Sequence, residues 1–249
     1  MNEGFKDHFS GHAPAYASAR PDYPRELFRW LAGKAPARKR AWDCATGNGQ
    51  AAVALADYFE AVIATDASTR QIANAFPADR IEYRVARAEA PGLEADSIDL
   101  VTVAQAAHWL DRGRFYASAR HVLRRGGLLA IWGYGLLRIA PALDAVLDGF
   151  YRDTVGAYWP PERRLIDERY AGLDLPFDEI LPPRFAMVRT WTLEKLLAYL
   201  RTWSAVQRYR QAQGTDPVAG VAPGLAEAWE GENQREVRWP LFLRAGYRD

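Results

Sequence analysis

The sequence predicts an α/β fold, in which a mainly parallel β-sheet is covered by helices on both faces. In the first half of the chain, short apolar segments alternate with segments that have helical spacing. The segment 97–104 is almost continuously apolar, which is typical of a strand covered on both faces. The chain has 249 residues, 49% apolar and 25% charged, enough for one large ordered domain. We therefore expect right-handed crossovers and a ligand crevice at the carboxyl ends of the strands.

The elements of the first half follow from these patterns in chain order. The first is a helix over 22–31 with Asp22 as its N-cap, because apolar residues recur there at helical spacing. The later strands and helices are bounded by Gly, Pro and polar residues. Strands are expected at 39–44, 61–65, 81–86, 97–104 and 128–134, and helices at 51–59, 68–76 and 112–123.

The pattern changes after about Tyr134. Residues 141–175 are typical of helices interrupted at Pro160, and 185–191 fits a strand. A long helix is expected over 192–209, with Thr192 as its N-cap. The segment 236–244 is expected to be a strand at the sheet edge, because Pro240 has no N–H to donate. This half is therefore interpreted as a helical cap followed by the end of the sheet.

Composition and charge exclude several classes of function. The 32 basic and 31 acidic residues leave a net charge of +1, so no strong field attracts nucleic acid or anionic lipid. A single cysteine excludes a disulfide framework and a Cys-rich zinc site, and no metal site is predicted. No long apolar run and no secretory signal pattern is present. We expect a cytoplasmic protein, monomeric or homodimeric, without nucleic-acid or membrane partners.

The most informative segment is the loop after the first strand, from Asp43 to Gly49. An acid ends the strand, and small residues follow at every second position, which lets a ligand approach the backbone. A dinucleotide fingerprint G-x-G-x-x-G would align on Ala45, Gly47 and Gln50 and would keep one glycine of three. A nicotinamide cofactor is therefore disfavoured, while a tight turn without a ligand stays an alternative.

A second acid, Asp66, is expected at the end of the second strand, 23 residues after Asp43. An acid at this spacing can accept hydrogen bonds from both hydroxyls of a ribose. The alternative is a solvated residue that caps the helix beginning near Ser68.

The pattern Asp43-x-Ala45-x-Gly47-x-Gly49 resembles the first motif of class I S-adenosylmethionine (SAM) methyltransferases, with Ala45 in place of the first glycine. Together with the later motifs, this resemblance covers about 39–134. A narrower resemblance, to the trans-aconitate methyltransferase-like branch (the methyltransferase type 11 group), covers most of the chain and is weakest over 140–185. It rests on the pattern Tyr16-x-x-x-Arg20-Pro21-x-Tyr23-Pro24 and on the segments 104–109, 121–127 and 201–206.

The resemblance implies a Rossmann-like sheet of seven strands, in the order 3-2-1-4-5-7-6, with the last strand antiparallel and a helical cap. It divides the chain into an N-terminal lid and helix (1–38), a SAM-binding core (39–135) and a cap with the final strands (136–249). SAM would be the cofactor and S-adenosylhomocysteine (SAH) the product. The implied cofactor-binding residues are Tyr16, Arg20, Asp43, Ala45, Thr46, Gly47, Asn48, Gly49, Asp66, Ala67, Ala88, Glu89, Ala104 and Gln105.

The acceptor is expected to be a small molecule. The fourth strand is followed by Ala-Gln-Ala-Ala-His-Trp rather than by the Asn-Pro-Pro-Tyr or Asp-Pro-Pro-Tyr of enzymes that methylate DNA or glutamine amino groups. A carboxylate acceptor would need no base, whereas a hydroxyl or amine would, and His108 is then the first catalytic candidate. Arg138 could clamp an anionic acceptor, and for each aromatic candidate the alternative is packing in the core. The residues expected to contact the acceptor are Trp109, Trp132, Tyr134, Arg138 and Trp203.

Three other functions stay open at this point. Ala45 makes a non-catalytic or degenerate SAM-binding protein credible, and such a protein would bind the cofactor without turnover. A nicotinamide-dependent oxidoreductase is disfavoured by the poor glycine alignment. A nucleic-acid methyltransferase is disfavoured by the balanced charge.

Overall fold

The structure is a computed structural model that describes residues 21–249. Its eight strands fall into two groups. The first five pair in parallel. They are β1 (Arg40–Cys44), β2 (Ala61–Asp66), β3 (Ile81–Val85), β4 (Ile98–Ala104) and β5 (Leu123–Tyr134). The others are β6 (Asp178–Ile180), β7 (Ala186–Trp191) and β8 (Arg235–Tyr247), and β8 is antiparallel to each neighbour.

Nine α-helices connect or cap these strands in the described part of the chain. They are α1 (Arg25–Lys34), α2 (Gln50–Ala56), α3 (Thr69–Ala73), α4 (Arg112–Val122), α5 (Pro141–Gly149), α6 (Arg163–Asp167), α7 (Leu193–Arg201), α8 (Ser204–Gln213) and α9 (Pro217–Trp229). Two 3₁₀ turns (Ala107–Trp109 and Gly156–Tyr158) and a π-helical turn (Phe150–Thr154) complete the set. No helix within residues 21–249 is both long and apolar enough to cross a lipid bilayer.

The strand order is β3-β2-β1-β4-β5-β8-β6, and β7 pairs with the first half of β8. The α/β class and the arrangement of a parallel sheet with an antiparallel last strand are therefore confirmed. The main path of the sheet has the expected seven strands, and β7 is an eighth strand outside that path among the residues described. The additional strand exists because β8 has 13 residues, and its first half extends beyond β5 and pairs with β7 instead.

The expectation that Pro240 marks an edge strand is wrong. β8 lies between β5 and β6. Pro240 is the last residue paired with β7, and Leu241 is the first paired with β5. The missing N–H therefore falls at the point where β8 changes partners, where it costs no ladder hydrogen bond in the main sheet.

Two helix boundaries also differ from the expectation. Asp22 does not cap the first helix, since Pro24 occupies the N-cap position and disfavours helical backbone at Tyr23. The helix expected over 192–209 is divided after α7, because Trp203 has extended backbone. The Thr192 cap is confirmed, as its hydroxyl accepts the Lys195 N–H at 3.3 Å.

Apolar side chains pack on both faces of the sheet. Trp42 in β1 and Trp132 in β5 are completely buried, and they belong to the two separate clusters of the core. Covered faces leave the ends of the strands as the place where polar groups can converge. The candidate site lies at the carboxyl ends of β1, β2, β4 and β5.

Candidate functional site

The loop after β1 is held in an unusual backbone conformation. Ala45, Gly47 and Gly49 all have positive φ angles, of 54°, 58° and 89°. Glycine adopts this region without strain, whereas the Cβ of alanine makes it costly by about 1–2 kcal/mol. Ala45 therefore carries local strain, because its φ angle is positive and not in the negative range that alanine adopts easily.

The two glycines of this loop have different surroundings. A Cβ placed on Gly47 would meet no atom of residues 21–249 within 4 Å, so this stretch of backbone is open to an approaching ligand. A Cβ on Gly49 would collide with the ring and hydroxyl of Tyr83. Tyr83 is thus a positioning residue for the loop, and its hydroxyl donates to the Phe76 carbonyl at 2.8 Å.

Asp43 is completely buried at the end of β1. Its carboxylate accepts hydrogen bonds from the Thr46 hydroxyl at 2.5 Å and the Thr102 hydroxyl at 2.7 Å. Burial raises the pKa of Asp43 to about 6, and the two hydroxyl groups partly oppose that effect. At neutral pH the group is mostly ionised, so it supplies a negative charge beneath the loop.

Asp66 ends β2 beside the same loop. Its Oδ2 accepts the Gly47 N–H and its Oδ1 accepts the Ser68 N–H, both at 2.9 Å. The helix α3 is capped by Ser68, whose hydroxyl accepts the Gln71 N–H at 3.3 Å. An acid at the end of this strand is placed to accept hydrogen bonds from ribose hydroxyls, and that role of Asp66 stays a prediction.

The loop after β3 carries the residues predicted to lie beside a base. Ala88 is buried and Glu89 is half-buried. The Glu89 carboxylate lies 3.5 Å from the Arg87 guanidinium, and its carbonyl accepts the Ser118 hydroxyl at 2.8 Å. Ala67, after β2, and Asn48, in the first loop, are half-buried. Base contacts by Ala88 and Glu89, and cofactor contacts by Ala67 and Asn48, stay predictions.

Gln105 follows Ala104 at the end of β4 and has a φ of 54°. Its Oε1 accepts the Tyr134 N–H at 2.8 Å, and its Nε2 donates to the Tyr134 carbonyl at 3.1 Å. This reciprocal pair of hydrogen bonds joins the ends of β4 and β5. A direct contact between Gln105 and a cofactor stays a prediction.

His108 lies in the turn after β4. Its Nδ1 is 3.1 Å from the Tyr170 hydroxyl, and its ring is 4.7 Å from that of Trp109. Burial, and to a lesser degree the charge of Arg163, lowers the pKa of His108 to about 3. The imidazole is therefore neutral near pH 7, and its conjugate acid is too strong for an efficient general base.

The other predicted acceptor residues occupy varied surroundings. Trp132 is completely buried and Tyr134 is 5% exposed, so both pack in the core. Arg138 Nη1 donates to both oxygens of Asp148 at 3.1 Å. Trp203 packs against four aromatic rings. Contacts of these residues with an acceptor stay predictions, and Tyr16 and Arg20 lie outside the described residues.

The sequence analysis missed Arg163, the first residue of α6. Its guanidinium lies 4.6 Å from the centre of the Trp159 ring and 5.5 Å from that of Tyr151. Its Nε donates to the Tyr151 hydroxyl at 2.8 Å, which in turn donates to Asp167 at 2.6 Å. The sequence signal was the cluster of aromatic and proline residues before Arg163, in the segment where the family resemblance was weakest.

Comparisons with known proteins agree with this geometry. A family model described as a methyltransferase domain matches residues 42–131. A Dictyostelium discoideum protein provisionally named a methyltransferase is 33% identical over 247 residues, which cover 96% of this chain and 94% of the relative. A Saccharomyces cerevisiae protein provisionally named a SAM-dependent methyltransferase is 28% identical over 188 residues. This alignment covers 69% of this chain and 62% of the relative.

A solved structure gives the same result. A protein from Anaeromyxobacter dehalogenans, provisionally described as a type II methyltransferase, is 44% identical and superposes with a TM-score of 0.87. The match covers 92% of this chain and 97% of that one, so it includes the cap as well as the sheet.

Proposed function

Because the chain belongs to the class I SAM-dependent methyltransferases, we propose that it transfers a methyl group from SAM to a small-molecule acceptor. Family membership sets aside the nicotinamide-dependent alternative. The more specific assignment to the trans-aconitate methyltransferase-like branch stays a prediction. The small size of the acceptor rests chiefly on the way the cap covers the turn after β4.

The residues around the first loop fit SAM. The backbone at Gly47 is open within the described part of the chain, and Asp66 ends β2 beside it, where an acid is suited to ribose hydroxyls. The ionised Asp43 and the Ala45 carbonyl are suited to the ammonium group of the methionyl end. Ala67, Ala88 and Glu89 would border the adenine, while Thr46, Asn48 and Gly49 shape the loop.

When bound, SAM supplies a methyl group that an acceptor lone pair takes up, while the electrons of the broken C–S bond remain on sulfur. The chain's own residues then have three tasks: they hold the ribose, align the acceptor in line with the methyl group, and exclude water. Gln105 contributes to alignment by fixing the end of β4 to that of β5. No described residue must carry a proton for this transfer if the acceptor reacts as an anion.

The observation that supports a small acceptor is the contact between His108 and Tyr170. Tyr170 follows α6 in the cap, is completely buried, and lies with its hydroxyl 3.1 Å from His108. The cap therefore lies over the turn at the carboxyl end of β4, where this fold class binds its ligands. The strongly lowered pKa of His108 agrees with a water-poor environment. A polymer would need this cover to be displaced.

A second candidate function is SAM binding without catalysis. It is supported by the strained Ala45, which stands where the family motif has a glycine. Both candidate functions predict that the protein binds SAM, but only the first predicts that it converts SAM to SAH.

The test combines calorimetry with a turnover assay. SAM and SAH titrations of the full chain should show binding, and Asp57→Asn, a change at an exposed acid outside the site, should leave it unchanged. SAH release should then depend on an added small molecule from a panel of carboxylic acids, phenols and amines. Binding without SAH release from any acceptor would favour the second candidate. Lack of SAM binding, or turnover with RNA or DNA alone, would contradict the proposal.

A further inference from the structure

Arg163 is held in place by two aromatic rings and by an ion pair with Asp167 on the same helix. Tyr151 and Trp159 contact its guanidinium, and both rings pack against Trp203. The ion pair joins Arg163 Nε to Asp167 over 3.6 Å, and Asp167 also accepts a hydrogen bond from the Tyr151 hydroxyl. These contacts fix the plane of the guanidinium from its Nε side.

The other side of the same guanidinium lacks acceptors. Within residues 21–249, the hydrogen bond and the ion pair of Arg163 both involve Nε and leave Nη1 and Nη2 without a hydrogen bond, and 19% of the side chain is exposed. The indole Nε1 of Trp159 is buried and has no partner among these residues either. A partly dehydrated arginine with two free donors is matched by an oxyanion, which it can bind through two parallel hydrogen bonds.

The position of Arg163 links it to the site. Its helix, α6, packs against the 3₁₀ turn Ala107–Trp109 that follows β4. The charge of Arg163 acts on His108 in that turn and on Tyr170 above it. Arg138, the clamp expected from the sequence, instead has both oxygens of Asp148 as partners.

We propose that Arg163 anchors an anionic group of the methyl acceptor, a carboxylate or a phosphate, while Tyr151, Trp159 and Trp203 contact an apolar part beside it. This inference rests on the proposed function, since it defines the acceptor class of the same site. The anchored group fixes the acceptor and need not be the atom that receives the methyl group. An uncharged acceptor would leave the Nη1 and Nη2 groups of the guanidinium without an anionic partner, at a cost in affinity.

The test uses the full chain saturated with SAH and three aromatic probes of similar size: phenylacetate, phenyl phosphate and the uncharged phenylacetamide. Calorimetry gives the affinity for each probe. We expect at least one anion to bind about tenfold or more tightly than the amide. Arg163→Gln should abolish this preference, and Arg163→Lys should reduce it, because lysine lacks the planar fork. Arg164→Gln, at the adjacent, largely exposed position, should preserve it.

The outcomes separate the two proposals. A wild-type protein that does not bind SAH would contradict the proposed function. Normal SAH binding, with equal affinities for anions and amide or with no probe bound at millimolar concentration, would overturn the role of Arg163 alone. A preference that survives in Arg163→Gln would overturn it as well. A folding defect would lower the affinity for SAH and for the amide too, so unchanged values for both identify a specific effect.

Discussion

Asp66 accepts the Gly47 N–H at 2.9 Å, so the acid that ends β2 fixes the backbone of the loop that follows β1. The residue expected to bind a ribose therefore also shapes the surface on which the nucleoside would lie. Structural and binding roles of Asp66 are coupled through this hydrogen bond.

Asp66→Ala should weaken binding of both SAM and adenosine, because they share the ribose. The loss of charge-assisted hydrogen bonds predicts about 1.5–3 kcal/mol, or roughly 10-fold to 150-fold in dissociation constant. Calorimetry with both ligands measures the effect, and Asp57→Ala serves as an exposed control. An unchanged dissociation constant would remove Asp66 from the site.

Ala45→Gly should stabilise the protein, since glycine relieves the strain of a φ of 54°. The gain of about 1 kcal/mol is reduced somewhat by the greater freedom of glycine in the unfolded chain. SAM affinity should be equal or higher, because a methyl group is removed beside the backbone. Ala54→Gly, inside α2, should instead destabilise by about 1 kcal/mol. Chemical denaturation of both variants checks this, and a destabilised Ala45→Gly would show that φ at this position is not strained.

Asp43 should make the stability of the free protein depend on pH. Its pKa is raised by burial to about 6 in the folded state, whereas the usual value is 3.8. Its favourable contribution is therefore complete below about pH 4 and is lost as the pH rises through 6, a change of about 3 kcal/mol. Asp43→Asn should lack this part of the pH dependence. Denaturation of both proteins between pH 4 and 7 measures it, and parallel curves would contradict the raised pKa.

His108 should remain neutral throughout the physiological range, since its pKa is lowered to about 3. The pH dependence of the methyl-transfer rate should then have no inflection near pH 6.5 that is caused by His108. The wild type and His108→Gln should therefore have pH profiles of the same shape in this range. Nitrogen-15 chemical shifts of the imidazole, assigned with His108→Gln, report its protonation directly. A midpoint near pH 6.5 for this ring would restore His108 as a general-base candidate.

The sequence was most informative where structure depends on local patterns. The strands β1 to β5 and the Thr192 cap follow from apolar periodicity and capping residues, and the two acids lie at the ends of β1 and β2 as expected. These features share one property: the residues that determine them lie within one turn or one strand of each other.

Features that depend on distant residues were not predictable in the same way. Pro240 is compatible with an internal strand only because β7 begins opposite it, at Ala186, more than 50 residues earlier in the chain. Arg163 becomes a site candidate only when Tyr151 and Trp159 pack against it and α6 reaches the turn after β4. Likewise, the lowered pKa of His108 depends on burial by the cap.

The segment from 135 to 177 leaves the sheet after β5 and returns to it at β6. The two strands that flank this segment in the chain, β5 and β6, are the neighbours of β8 in the main sheet. The strands β1 and β2, whose loops form the candidate SAM site, lie on the other side of β4 from β5. The proposed ribose ligand Asp66 and the proposed acceptor anchor Arg163 therefore belong to separate stretches of the chain. Grafting this insert from one homologue into another should transplant substrate preference while SAM affinity stays that of the recipient.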